Sequence, residues 1–378
     1  MKLNHILTIS LALTLAACTP GPGGKEQTGG TGAGGTGAGG PETLTLASYR
    51  PESVYHIQKT RVEKSAYPVI DMHSHDYADS EAEIDAWVET MDRVGIERSV
   101  ILTEETGEAF DSLVVKYSAH PDRFELWCGI DYTGYDTDPD WNEHAVRELE
   151  RCYEMGARGV GELGDKGRGL FYSKPTRAYG MHMDDPALRP VWDKCAELDL
   201  PVNVHVAEPI WMYLPMDSTN DGLMNAWEWK VDMTREGILD HSELIGTLER
   251  AVRDNPRTTF IACHFANCSY DLDIIGDLLD KYPNLRADIS ARYAETAAIP
   301  RRARAFYEKY QDRLVYGTDM GMKEGMYQVT FRILETEDEH FYEQDQFGYH
   351  WALSGFGLPG EILEKLYNGN ARKILNGN

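Results

Sequence analysis

Eight short apolar or β-branched runs punctuate the chain, at Val69–Met72, Ser99–Leu102, Glu125–Ile130, Gly159–Leu163, Val202–Val206, Thr259–Phe265, Leu285–Ile289 and Leu314–Tyr316. Between most of them lie stretches of helical period. "EAEIDAWVETMDRVG" sets Ile84, Trp87, Val88 and Met91 on one face, and Ala145–Met155, Leu188–Leu198, Glu243–Val252 and Leu272–Leu279 repeat the pattern. Strand and helix in turn require a parallel sheet with right-handed crossovers, and eight units fit a closed ring better than an open sheet. The expected fold class is therefore α/β, a single (β/α)8 barrel of the TIM type. The tail "EILEKLYNGNARKIL" is expected as a further amphipathic C-terminal helix packed on the outside.

Two connections are too long to be simple loops. Gly164 to Pro186 follows the fourth strand, and Ala207 to His241 follows the fifth. In a barrel both emerge at the C-terminal face, where active sites are built. Their aromatic residues (Phe171, Tyr172, Tyr179, Trp211, Tyr213, Trp227, Trp229) are candidates for a lid or pocket, or for a small satellite core beneath a long loop.

The amino terminus reads differently. Lys2 precedes an apolar core, Ile6 to Leu15, too short for a permanent span, so residues 1–17 are expected to be a secretory signal. "LAAC", Leu15 to Cys18, resembles the lipobox of bacterial lipoproteins, which implies acylation of Cys18. Residues 18–41, mostly Gly, Thr and Pro, lack apolar side chains to offset ordering entropy and are expected to be a flexible tether. The barrel would then occupy 42–378. The expected location is the bacterial cell envelope, at the outer membrane on its periplasmic side or at the cell surface, with membrane contact through the lipid anchor only. Five further cysteines, Cys128, Cys152, Cys195, Cys263 and Cys268, have the scattered spacing of buried thiols rather than of a disulfide framework. The balance of 37 basic against 62 acidic side chains, net −25, repels phosphate backbones and argues against nucleic acid as a partner. A small-molecule substrate is expected.

His73 and His75 stand two apart, so on a strand they project to one face, about 6.5–7 Å apart along the chain, suited to one ion. With 12 histidines in 378 residues, His-x-His arises about 0.4 times by chance, so the motif alone does not decide. Its setting does. The pair ends the first strand, His205 ends the fifth, His264 the sixth, and Asp319 lies just past the eighth. Each has a bland reading, as a hydrogen-bonded core histidine or a turn-capping aspartate. Four such groups on one rim are a constellation.

That arrangement resembles the amidohydrolase superfamily of metal-dependent barrel hydrolases. "GVGELGDKG", "PNLRADISAR" and "YGTDMGM" are similar to its amidohydrolase-related branch, from about Tyr49 to the C-terminus. The resemblance implies that His73, His75 and Asp319 ligate a divalent ion, Zn²⁺ in first place and another divalent metal otherwise, with His205 completing the site. It implies that His264 orients or polarises the substrate and that Asp319 handles the proton of the bound water. Glu162, ending the fourth strand, either bridges two ions or orients a histidine from behind, so one ion or two are expected. Arg292 is a candidate for gripping a substrate carboxylate, set against a structural ion pair; Lys166 is a weaker candidate of the same kind. The leading expectation is hydrolysis of an amide, ester or lactone by metal-activated water. The first alternative, non-oxidative decarboxylation of a small carboxylic acid, would call for several arginines on the substrate loops, and Ala207–His241 offers only Arg235. A second alternative is a non-catalytic, ligand-binding surface lipoprotein.

Overall fold

Strand β1 (Val69–Ser74) is buried at every residue, as a strand must be when packed on both faces. Around it run β2 (Ile96–Leu102), β3 (Phe124–Trp127), β4 (Val160–Asp165), β5 (Val202–Val206), β6 (Phe260–Ala262), β7 (Leu285–Asp288) and β8 (Leu314–Val315). The computed structural model describes residues 40–377 apart from Ser173 and Pro175. The signal segment, Cys18 and nearly all of the tether lie outside the described residues. From Thr45 onward the chain is one unit.

All neighbouring barrel strands pair in parallel, with Val160 opposite Val202, Val202 opposite Phe260 and Phe260 opposite Leu285. Two seams close the ring. A bridge between Cys128 and Val160 joins β3 to β4, and Met72 N–H to Tyr316 carbonyl (2.9 Å) with Asp319 N–H to His73 carbonyl (2.9 Å) joins β8 to β1. At the second seam the buried Asp71 accepts from Thr318 N–H (3.0 Å) and Thr318 Oγ1 (2.6 Å).

One helix follows each strand. Glu81–Val94 starts on the Ser80 hydroxyl, stops at Gly95 in the left-handed region (φ 93°) and buries Ile84, Trp87, Met91 and Val94. His241–Asp254 opens with a reciprocal Asp240–Glu243 cap and buries Leu244, Leu248 and Val252, each worth roughly 1.5–3 kcal/mol. The helices Gly107–Lys116, Pro300–Lys309 and Glu324–Glu335 complete the set after β2, β7 and β8, where sequence periodicity had marked none. All five downstream cysteines are buried thiols. Among the described residues no helix is long and apolar enough to cross a membrane.

Two expectations need correction. The sixth run does not stay extended to Phe265: β6 ends at Ala262, and His264, Phe265, Ala266 and Asn267 take positive φ of 57°, 55°, 53° and 56°. Hydrogen bonds offset that strained turn, from His264 N–H to Asp288 (2.9 Å) and from Asn267 Nδ2 to the carbonyls of Val206 (3.0 Å) and Ala207 (3.2 Å). Nor does the C-terminal tail lie outside the barrel. Asn370 Nδ2 reaches the carbonyls of Gln311 (2.7 Å) and Leu314 (2.8 Å), at the start of β8. Ala371 and Ile374 join one apolar cluster with Ile70, Val100, Trp127, Ile261 and Val315. Those side chains come from strands on opposite arcs of the ring, so the tail plugs the barrel floor.

The long loops are built pieces. The first carries a hairpin, Gly169–Leu170 with Ala178–Tyr179, hung from the buried Asp165. That carboxylate accepts from the N–H groups of Gly167 (2.9 Å) and Gly169 (3.1 Å) and from His182 Nδ1 (2.6 Å). The second carries the short helix Leu223–Trp229, and Leu239 N–H donates to Gly167 carbonyl (2.9 Å), tying the loops together. Burial lowers the proton affinity of His182, but the hydrogen bond and charge of Asp165 outweigh it and raise the pKa above 6.5. The His182–Asp165 contribution is therefore complete below pH 6.5 and fades as pH rises through the folded value. We expect His182→Ala to cost about 1–2 kcal/mol at pH 6 and distinctly less at pH 9, measured by urea unfolding at both pH values.

Candidate metal centre

The C-terminal ends of β1, β4, β6, β7 and β8 converge on one point. Each of three imidazoles spends its Nδ1 on the surrounding protein. His73 Nδ1 donates to Asp288 Oδ2 (2.9 Å), His75 Nδ1 to Leu102 carbonyl (2.9 Å) and His264 Nδ1 to Ser290 carbonyl (3.0 Å). That fixes the tautomers and turns three Nε2 atoms inward. The Nε2 atoms of His73 and His264 are buried with no hydrogen-bond partner among the described residues. A buried, unsatisfied ring nitrogen is costly, which marks the pair as suited to meeting an electrophile.

Carboxylates face those nitrogens. Asp319 stands 3.7 Å from His73 Nε2, 3.1 Å from His75 Nε2 and 3.5 Å from His264 Nε2. Glu162 stands 3.8, 3.5 and 3.4 Å from the same three atoms. Ligands about 2.1 Å from one tetrahedral ion are separated by roughly 3.4 Å, so the spacing fits a small divalent cation. Electrostatics agree. Burial lowers the proton affinity of His73, but Asp288, Asp319 and Glu162 outweigh it and raise its pKa to about 9. His264 is held below 6.5, chiefly by burial. For Asp288, burial acts upward but the His73 charge and its hydrogen bonds prevail, bringing the pKa to about 2.

The structure brings His73, His75, Asp319 and Glu162 together, and His264 Nε2 lies as close to the two carboxylates as the other imidazoles do. His205, expected among the ligands, is placed differently. Its Nε2 lies 3.0 Å from Ala207 carbonyl and its Nδ1 2.7 Å from Glu162 Oε1, so both ring nitrogens are engaged within the protein. Ala207, at φ 63°, turns that carbonyl back onto the ring. Arg292 is 8% exposed and directs Nε (2.9 Å) and Nη2 (2.6 Å) at Asn267 Oδ1, bracing the left-handed turn. Lys166 forms an ion pair with Glu208 and lies over the rings of Tyr172 (4.6 Å) and Trp229 (5.3 Å). It lines a cleft of about 220 Å³ with Arg168, Phe171, Tyr172, Trp229, Lys230 and Arg235. Glu208 links cleft to centre, its Oε2 3.9 Å from His205 Nε2.

The family profile described as Amidohydrolase matches residues 56–377. The chain belongs to the amidohydrolase family. It is therefore an enzyme of that kind, which sets aside the non-catalytic alternative. Among curated proteins none matches. Solved structures with the same fold include an uncharacterised TIM-barrel protein from Bordetella bronchiseptica, 17% identical, covering 82% of this chain and 99% of that one at a TM-score of 0.52. A 2,6-dihydroxybenzoate decarboxylase from Rhizobium is 18% identical with the same coverage and TM-score. A dihydroxybenzoic acid decarboxylase from Polaromonas, solved with manganese and 2-nitroresorcinol, is 18% identical, covering 82% of this chain and 97% of that one at 0.54.

Sequence reasoning missed Asp288 and Glu208. Asp288 could have been found as the one carboxylate inside the seventh run, in "RADIS". We expect His73→Ala or Asp319→Ala to abolish stoichiometric metal content by elemental analysis. Asp288→Asn should weaken metal affinity about 10–100-fold in chelator competition, because it only orients His73. Unchanged metal content in both alanine variants would remove the centre from the account.

Proposed function

We propose that this enzyme removes CO2 from a small, ring-bearing carboxylic acid, with a divalent ion held by His73, His75, His264, Asp319 and Glu162. The observation that carries the reading is the cleft. Counting arginines on one loop understated its charge, because cations from both long loops meet there. Lys166, Arg168, Lys230 and Arg235 stand against Glu208, Glu228 and Asp232, a net positive lining in a chain of net charge −25. Phe171, Tyr172 and Trp229 add ring faces. A volume of about 220 Å³ is below the usual span of ligand pockets, about 300–1,000 Å³, and suits one ring with small substituents. The dihydroxybenzoate decarboxylases of like fold, one of them solved with manganese, support this reading.

Such an ion supplies Lewis acidity toward substrate oxygens. The chain's own residues do the rest. Lys166, with Tyr172 and Trp229, orients the acid beside the centre. The bond from ring carbon to carboxylate breaks with its electron pair left on carbon, CO2 departs, and that carbon takes up a proton. Asp319 (24% exposed) and His264, 3.5 Å apart, are the groups positioned to hold and return it. Hydrolysis of an amide, ester or lactone is the second reading, favoured by that same partly accessible carboxylate, which can accept a proton from water.

The decisive experiment incubates Mn²⁺- or Zn²⁺-loaded protein with hydroxybenzoic acids and, separately, with lactones, esters and amides. CO2 release from an acid is expected, abolished by chelator and reduced about 10²–10⁴-fold in Asp319→Asn. Ester or lactone cleavage with no CO2 from any acid would establish the second reading instead. We also propose that the barrel is carried as an envelope lipoprotein, supported by "LAAC" and the Gly-rich tether. Radiolabelled palmitate should enter the wild type and not Cys18→Ser; label retained in that variant contradicts the anchor.

A further inference from the structure

Four cations line the cleft, and three of them are engaged. Lys166 forms an ion pair with Glu208, Arg235 Nε lies 3.3 Å from Asp232, and the exposed Lys230 lies 4.2 Å over the ring of Trp227. Arg168 differs. Its guanidinium carbon stands 5.0 Å from the ring centre of Phe171 and 4.8 Å from that of Tyr179, yet among the described residues no carboxylate or carbonyl accepts from it. Glu228, the remaining carboxylate of the lining, forms no ion pair with it. Arg177, from the same loop, lies 4.6 Å over Phe171 and is likewise without a carboxylate partner among the described residues. Two guanidinium groups over one ring, with no counterion, repel each other and favour an anion beside them.

The main chain holds Arg168 in place. Its neighbours Gly167 and Gly169 take φ of 105° and 93°, both of their N–H groups donate to Asp165 Oδ1, and its own carbonyl accepts from Gly180 N–H (2.9 Å). A Cβ at Gly169 would overlap the Ala178 carbonyl, which keeps that turn tight. The two rings hold the guanidinium by its face and leave its N–H edge unspent, the edge that pairs in a fork with a carboxylate.

From these contacts we infer that Arg168 is a specificity-determining residue, which receives a second carboxylate of the substrate, one that stays on the ring when CO2 leaves. The inference rests on the decarboxylase reading and deepens it: the preferred substrates are ring dicarboxylic acids. Lys166, balanced by Glu208 on the side of the centre, attends to the carboxylate beside the ion. Arg168, two residues further on, attends to the other. A cleft of about 220 Å³ leaves room for one such small substituent on a single ring.

The test measures binding of isophthalate and terephthalate to the Mn²⁺-loaded full chain at low ionic strength, each against its monoamide, which has the same shape without the second charge. The wild type is expected to bind at least one dicarboxylate about tenfold or more tighter than its monoamide, the scale of a charged, hydrogen-bonded pair. Arg168→Met should bring that ratio to about one, and Arg168→Lys, which keeps the charge but not the fork, should leave it in between. Should Arg168→Met unfold, Arg168→Lys alone decides. A wild type without the preference overturns the inference. So does a variant that lowers both affinities and keeps their ratio, because that outcome assigns Arg168 only to holding the hairpin. CO2 release is read in parallel. A dicarboxylate preference that depends on Arg168, with no CO2 from any acid, keeps Arg168 as the anion subsite and overturns decarboxylation; CO2 from monoacids without that preference does the reverse.

Discussion

A carboxylate with no access to water organises this molecule. Asp288 accepts from His73 Nδ1 (2.9 Å), Asn203 Nδ2 (3.3 Å), His264 N–H (2.9 Å) and Ser290 N–H (3.1 Å), so one side chain ties β1, β5, the turn after β6 and the end of β7. An isolated buried charge would cost several kcal/mol. Here the hydrogen bonds and the His73 imidazole offset it. The same contacts settle which nitrogen of His73 looks inward and where the His264 backbone bends. Fold and chemistry therefore share a single electrostatic fixture, and the centre is preorganised before any ligand arrives.

Around that fixture the division of labour follows barrel logic. Rigid strand ends carry the groups that need fixed geometry, and the long loops carry those that meet substrate. The loops are nevertheless anchored. Asp165 grips one from the end of β4, Leu239 laces it to the other, and Glu208 leans on His205. A change in the cleft can thus reach Glu162 through two side chains in contact, Glu208 and His205.

Much of the architecture was legible in the order of residues because burial on both faces forces continuous apolar runs, and surface helices force a 3.6-residue period. Val202–Val206 matches residue for residue, and His73, His75, Glu162 and Asp319 converge because strand ends in a closed ring must. What stayed hidden depends on partners remote in the chain. The ring of His205 is turned by Ala207 carbonyl and Glu162, and no local pattern encodes that rotation. Arg292 could be read as a substrate grip or as a structural ion pair, and nothing local pointed to Asn267, which its guanidinium meets. The left-handed turn at His264–Asn267 contains no glycine to announce it, since Asp288 from β7 and the turn's own Asn267 side chain, reaching Val206, supply the compensation. The tail reads as amphipathic, and amphipathicity says which face is buried but not beneath what.

That floor plug bears on how the molecule can be born. Asn370, Ala371 and Ile374 follow all eight strands in the chain, and they seal a cavity whose walls include the first strand. The β1–β8 seam, clamped by Asp71 and Thr318, likewise joins segments separated by 247 positions. Partial chains therefore hold an open curl of strands with an unsealed base and one raw edge at each end. The closed cylinder therefore depends on segments far apart in the chain, and neither the first strand nor the floor helix can complete it without the other.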